Sequence, residues 1–215
     1  MRKTIYWLAV LLMTGVTACT IVPIEEIEQL EENEAFDAAA YVDGIWETQV
    51  IPTIADKAQD LPQVLVAMQA DLTSAGETYA TVSPSGAFNF VVQGSGTITQ
   101  VDTESRNGTA ILAVAGYDGP ITILLQIGPL VRGDSIRDGV GFIEFGNFKD
   151  QTEFGQVSRE LNLRVTEVVL GELDLTTLTG QTVTFNGVFT VRTTNQTNID
   201  LSEITITPVT FVLGE

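Results

Sequence analysis

The sequence predicts a mainly β fold with helices, of the α+β kind, in which a strand-built body follows an N-terminal helical segment. Three observations predict it. Apolar residues between Phe36 and Gly76 recur at helical spacing, beyond Phe88 the period falls to two, and the later segments run as three strands, a helix and two strands. That order is the one an OB-fold-like barrel needs, although many β-meanders share such counts.

Ahead of the fold, Arg2 and Lys3 precede an apolar run from Ile5 to Met13, followed by small residues and Cys19. This is the order of charge, hydrophobic stretch and cleavage site in a secretory signal peptide, and it assigns residues 1–18 to one. The run is too short to span a membrane comfortably. Val16-Thr17-Ala18-Cys19 resembles a bacterial lipobox, whose cysteine receives a diacylglyceryl group and becomes the first mature residue. The bland alternative is ordinary cleavage beside a chance cysteine. An unpaired cysteine in an exported chain needs a reason, and lipidation supplies one. Each buried CH₂ of the acyl chains contributes about 0.8 kcal/mol, so Cys19 with more than one chain anchors the protein without spanning the bilayer. The expected location is the periplasmic side of a bacterial envelope. Thr20, in place of an Asp, resembles the default that Gram-negative cells sort to the outer membrane.

Residues 19–35 read as an acidic tether. Glu25, Glu26, Glu28, Glu31, Glu32 and Glu34 leave too few apolar side chains to pack firmly, and such runs are usually solvated faces.

Residues 36–76 form the helical segment. Phe36, Ala39, Ala40, Trp46 and Val50 can share one face, with Pro52 breaking or kinking that helix. Val64, Leu65, Met68 and Leu72 make a second stripe. Asp60 and Pro62 stand where a cap and a first-turn proline belong, and Gly76 closes the helix. Trp46, the one tryptophan of the mature chain, is expected in the core rather than as a ligand platform.

Residues 77–215 form the β region. Strand-like alternation appears in FNFVVQ, GTITQVDTES, TAILAVAGY and ITILLQIGP, the last three as a meander from Gly96 to Ile127. Asn107-Gly108 and Asp118-Gly119 suit type I′ hairpins, which need positive φ at both central residues. A helix near 149–170 follows, with Phe154, Val157, Leu161, Val165 and Val168 at helical spacing, Asn147 as N-cap and Gly171 as terminator. Strands near Thr182 to Arg192 and Ile204 to Leu213 complete the set. ITILLQIGPLV at 121–131 is faintly similar to ITITPVTFV at 204–212, which leaves a duplicated barrel open.

Composition excludes much chemistry. The chain has 10 Lys and Arg against 28 Asp and Glu, a net charge of −18, and no histidine. Without Arg2 and Lys3 the mature chain stands at −20. Such a surface repels phosphate backbones, so nucleic acid is not an expected partner. Absent histidine removes Ser-His and Cys-His mechanisms and the commonest zinc ligand, and one cysteine excludes intrachain disulfides. No cofactor is expected.

The best candidate site is the stretch Leu125 to Gln151. Arg132, Asp134, Arg137 and Asp138 put two cations and two anions within seven residues after a buried-type strand. Guanidinium forks can hold a carboxylate, a phosphate or sugar hydroxyls. The alternative is that the four pair among themselves or with carbonyls and fix a long loop. Phe142, Phe145 and Phe148 recur every three residues and are expected in the core, since Phe lacks the polar handle of a wet site. Arg132-Gly133-Asp134 matches an adhesion tripeptide and Asn195-Gln196-Thr197 a glycosylation acceptor, both too short to carry weight.

Taken together, CTIV at 19–22, FDAAAYVDGIW at 36–46, GSGTITQVDTESRNG at 94–108, QIGPLVRGDSIRDGVGFIEFGNFKDQ at 126–151 and ITPV at 206–209 resemble a domain-of-unknown-function family of predicted bacterial periplasmic lipoproteins. The resemblance covers nearly the whole mature chain. It implies a core of OB-like modules, one or two with exchanged C-terminal strands, and brings no established activity. Such genes are often encoded beside ribose-type sugar ABC transporters, which implies transporter components as partners. Where the family tends to carry an alanine-type residue after the second Arg-Asp, this chain has Gly139.

Three functions follow as expectations. The first is a lipid-anchored, non-enzymatic binding or accessory protein for sugar ABC transport. The second is an enzyme acting on envelope glycans through a pair of carboxylates, roughly 5 to 9.5 Å apart in an open cleft, with Asp134 or Asp138 among them. The third is a self-associating structural module.

Overall fold

The strand β3 (Phe88–Asp102) is long because it serves two neighbours in succession. In the computed structural model, which describes residues 36–171, 173–193 and 199–214, β3 pairs antiparallel with β6 (Thr182–Val191) along its first part. Along its last part it pairs with β4 (Thr109–Val114). The two pairings overlap at Gly96 and Thr97, with Gly96 opposite Val114 on one side and Val183 on the other. A Cβ at Gly96 would run into the Ala113 carbonyl, so the close approach requires glycine.

From there the barrel closes. β4 pairs antiparallel with β5 (Thr122–Gln126), β5 lies parallel to β7 (Glu203–Leu213), and β7 runs antiparallel to β6, which returns to β3. Closure gives each of the five strands a partner on both sides over part of its length, although the end of β6 and the start of β7 do not pair with each other. Two short strands, β1 (Gln59–Asp60) and β2 (Ala80–Val82), add to the first part of β3 on the side away from β6.

The described strands build one barrel, with β7 closing its own sheet. The similar residues 121–131 and 204–212 fall on adjacent strands of that one sheet. β5 and β7 are parallel neighbours in register, Ile123 beside Ile204 and Leu125 beside Ile206, and all four side chains fill the same interior.

Several local expectations are corrected. FNFVVQ and GTITQVD are one strand, not two, bent by a bulge between Ile98 and Gln100. Neither hairpin is a two-residue turn. Residues 103–108 join β3 to β4, with the Asp102 carboxylate accepting from the Glu104 and Ser105 N–H groups at 3.0 and 3.3 Å. Gly108 lies against Gly128 and is not at positive φ. In the β4–β5 loop the left-handed position falls on Gly116, at φ 79°, and not on Gly119.

The helical segment starts with α1 (Ala38–Ile45), whose N-cap Asp37 accepts from the Ala40 N–H at 2.9 Å. It continues through a π-helical turn, Trp46–Val50, into α2 (Ile51–Lys57). Pro52 therefore does not end the helix. Lacking an N–H for the Thr48 carbonyl, it follows a widened turn in which the Ile51 N–H reaches back to Trp46. The buried stripe is Ala38, Val42, Ile45, Trp46, Val50 and Ile54; Ala39 and Ala40 face outward because the helix starts one residue earlier than their face requires.

Asp60 and Pro62 do open α3 (Leu61–Ala70). That helix stops at Asp71, which caps α4 (Leu72–Tyr79) by accepting from the Ser74 N–H at 2.7 Å. Gly76 sits inside α4 rather than ending it, since a Cβ there would lie 2.5 Å from the Phe88 ring. Helices α3 and α4 share one core with the barrel interior, through Leu61, Val64, Leu65 and Met68 against Phe88, Phe90 and Val92.

On the outer face, Val91 and Val188 are also buried, under α5 (Ser135–Val140), so the middle of β3 and β6 reads as a continuous apolar run. The helix α6 (Gln151–Arg164) packs on α1 and α5, capped by Asp150 in place of Asn147, and ends in a π-helical turn, Val165–Val169, before Gly171. Val168 of the expected stripe is exposed, because that turn widens the helical period. Arg164 of α6 pairs with Asp43 of α1. Among the described residues no helix is long and apolar enough to cross a membrane. The expected signal peptide, Cys19, the tether to residue 35 and Asn195-Gln196-Thr197 lie outside the described residues.

Candidate functional site

The segment after β5 is held by side chains from three elements. Gln126, the last residue of β5, clamps Arg132 through both backbone groups: its Oε1 accepts from the Arg132 N–H at 2.9 Å and its Nε2 donates to the Arg132 carbonyl at 3.0 Å. The same Nε2 donates to Thr207 Oγ1 at 2.7 Å, on the neighbouring parallel strand β7. From α6, Asn162 Nδ2 donates to the Gly133 carbonyl at 2.8 Å, and Gly133 takes φ 109°, which a side chain would resist. The loop is thus fixed while the Arg132 side chain remains exposed, with no ion pair or side-chain hydrogen bond among the described residues.

Arg137 has the opposite character. It is 6% exposed, with Nε donating to Asp138 Oδ1 at 2.8 Å and Nη1 lying 3.3 Å from Asp134 Oδ1. Nη1 also donates to the Phe154 carbonyl at 3.3 Å, and the guanidinium carbon sits 3.6 Å above the Phe154 ring. One guanidinium therefore engages both aspartates. Lys57 Nζ donates to the Val140 carbonyl at 2.8 Å, and Gly141 follows at φ 80°, closing α5.

All four charged residues singled out in the sequence, Arg132, Asp134, Arg137 and Asp138, line one cleft of about 450 Å³. The lining is completed from β6 and β7 and the residue after β6, with Thr190, Arg192, Thr205 and Thr207. Arg192 is a residue that sequence reasoning missed. Its place is secured on both sides, by Thr190 Oγ1 donating to Asn89 Oδ1 at 2.7 Å and Thr193 Oγ1 donating to the Gly86 carbonyl at 2.8 Å. Only barrel closure brings it to the loop, so no local motif marks it.

Beyond the Arg137–Asp138 wall lies a second cleft of about 710 Å³, bordered by Ile143, Phe145 and Phe154. The phenylalanines expected in the core are not there: Phe145 is 49% exposed and Phe142 and Phe148 are half-buried. Their three-residue spacing falls on a 3₁₀ turn, Phe145–Asn147, and flanking loop, where it does not define a buried face. Phe145 and Phe148 instead join a row of ring contacts, Tyr41 to Phe148 at 5.5 Å, Phe148 to Phe154 at 5.6 Å and Phe154 to Phe145 at 5.5 Å. Partial burial there pushes the Tyr41 hydroxyl above its ordinary range.

Chemically, the first cleft offers two exposed guanidinium groups, hydroxyls and amide groups around a buried ion-paired cation. Among the described residues no three acidic or cysteine side chains gather as metal ligands would.

The model of the predicted periplasmic lipoprotein family DUF2291 matches residues 9–211, which includes every residue of this cleft. The chain belongs to DUF2291. The crystal structure of an OB-fold protein from Thermotoga maritima is similar to this DUF2291 member with a TM-score of 0.66 at 20% identity, covering 84% of this chain and 100% of that one. The fold is shared. No curated protein sequence matches the chain. DUF2291 membership makes it a predicted periplasmic lipoprotein, in keeping with the lipobox-like residues at Cys19.

Proposed function

We propose that this DUF2291 member is a non-catalytic binding protein, anchored through lipidated Cys19 at the periplasmic side of the envelope and serving a sugar ABC transport system. In a Gram-negative host Thr20 favours the outer membrane. The observation that carries the reading is the cleft formed by Arg132, Arg192, Thr190, Thr205 and Thr207. At about 450 Å³ it falls in the size range of small-molecule sites, and its polar groups sit on a scaffold already locked by Gln126 and Asn162. The family resemblance supplies the link to sugar transport.

Glycan hydrolysis by Asp134 and Asp138 fits less well. An acid–base pair needs carboxyl groups free to meet the substrate, whereas here one guanidinium engages both.

Calorimetric titration of the lipidated protein in detergent with sugars and sugar derivatives should show saturable binding that competes at this cleft. Affinity capture from solubilised membranes should recover a permease or solute-binding subunit. Silence in both experiments overturns the proposal.

A further inference from the structure

We infer that the cleft recognises an anion, a small ligand carrying a carboxylate or phosphoryl group, with Arg132 and Arg192 as its two binding cations. This rests on the reading of the cleft as a ligand site and names the ligand class.

Three of the chain's ten cations line this one cleft, in a protein of net charge −18. A surface so acidic repels small anions on average, so a local cluster of cations favours where one settles. Of the three, Arg137 is spent on Asp134 and Asp138 and helps to build the wall. Arg132 and Arg192 both line the cleft as exposed side chains without an acidic partner among the described residues. Acids outnumber cations 28 to 10, so carboxylates to neutralise them were abundant.

Both arginines are also mounted rigidly at the backbone. Gln126 grips the N–H and carbonyl of Arg132, and Thr190 and Thr193 tie down the residues two before and one after Arg192. Fixing the base of a long side chain lowers the ordering cost on binding. A planar fork of donors then meets a carboxylate or phosphoryl group in paired hydrogen bonds, which a neutral sugar does not reciprocate as strongly. Thr205 on the cleft wall remains for a hydroxyl of the same ligand, while Ser135 is buried and donates to Thr207 Oγ1 at 3.3 Å.

The test is calorimetric titration of the full lipidated chain in detergent with D-ribose, D-ribose 5-phosphate, D-gluconate and inorganic phosphate, at low and physiological salt. The expected result is that an organic anion binds at least about tenfold more tightly than ribose, with affinity falling as salt rises. Arg132→Gln and Arg192→Gln should each weaken that anion about tenfold or more without moving the unfolding midpoint, because both side chains are exposed. Arg106→Gln, outside the cleft, should leave binding unchanged. Ribose binding as tightly as the anions overturns the anion assignment and leaves the cleft reading standing. Anion binding untouched by both cleft variants also overturns it. No binding of any probe at millimolar concentration overturns both readings.

Discussion

Arg137 lies over Phe154, its guanidinium carbon 3.6 Å from the ring centre, while two aspartates pair with its nitrogens. One buried side chain therefore ties α5 to α6 and both to the wall between the two clefts. Arg137→Met should lower stability by about 3 kcal/mol, since it leaves the half-buried Asp138 without its cation. Phe154→Leu keeps the ion pairs but removes the cation–π contact together with the ring contacts to Phe145 and Phe148, and should cost about 1 to 2 kcal/mol. Urea unfolding monitored by Trp46 fluorescence gives both values, and an Arg137→Met loss no larger than that of Phe154→Leu would show the ion pairs to be dispensable.

Two helical glycines should respond in opposite directions to the same substitution. A Cβ at Gly44 in α1 meets nothing within 4 Å, so Gly44→Ala should stabilise by about 0.5 to 1 kcal/mol through reduced freedom of the unfolded chain. Gly76→Ala in α4 would set a methyl 2.5 Å from the buried Phe88 ring and should destabilise by about 1 to 3 kcal/mol. Thermal unfolding of the two variants side by side decides it, and equal signs refute the packing argument.

Gly139 tests the point at which this chain departs from the resemblance. Its Cβ would lie 2.6 Å from Val188 Cγ1, a stiff β-branched side chain on β6. Gly139→Ala should therefore cost about 1 to 3 kcal/mol. In a Val188→Ala background most of that cost should vanish, because the shortened side chain leaves room. A double-mutant cycle with no coupling would place the strain elsewhere.

Much of the fold was legible because it rests on periodicity. Strands Thr182–Val191 and Glu203–Leu213 and the Asp60–Pro62 helix start lie where alternation and capping chemistry put them. What escaped was long-range. Gly76 resembles a helix stop until Phe88 arrives against it, and Asn107-Gly108 resembles a tight turn until Gly128 packs on Gly108. Asp71 hides a helix break inside one apolar stripe, because an aspartate mid-helix and an aspartate cap look alike in sequence. At the candidate site, Arg132 to Asp138 were visible as a local cluster, while Arg192 joins them only after β6 has paired with both β3 and β7. The unequal roles of Arg132 and Arg137 were equally hidden, since which arginine the aspartates choose is settled by burial against Phe154.

The acid limb of stability should belong to the capping aspartates. The Asp150 carboxyl is held below its ordinary range first by the Glu153 N–H and then by that of Thr152, and Asp71 likewise by hydrogen bonds from Ser74. For a group whose folded pKa is depressed, the stabilisation is fully present above the unfolded value of about 4 and is lost as pH falls through the folded value. Histidine is absent, so no unperturbed side chain changes charge between about pH 5.5 and 8, and the unfolding midpoint should be flat there. Falling pH also relieves repulsion in a chain of net charge −18, which acts on wild type and variant alike. The informative quantity is therefore the difference between the wild type and the Asp71→Asn, Asp150→Asn double variant, in which Asn keeps a capping oxygen but does not ionise. Wild type should be the more stable above about pH 4.5, with the difference shrinking towards zero by about pH 2. Chemical denaturation across that range measures it, and a difference independent of pH would show that the caps act through hydrogen bonding without their charge.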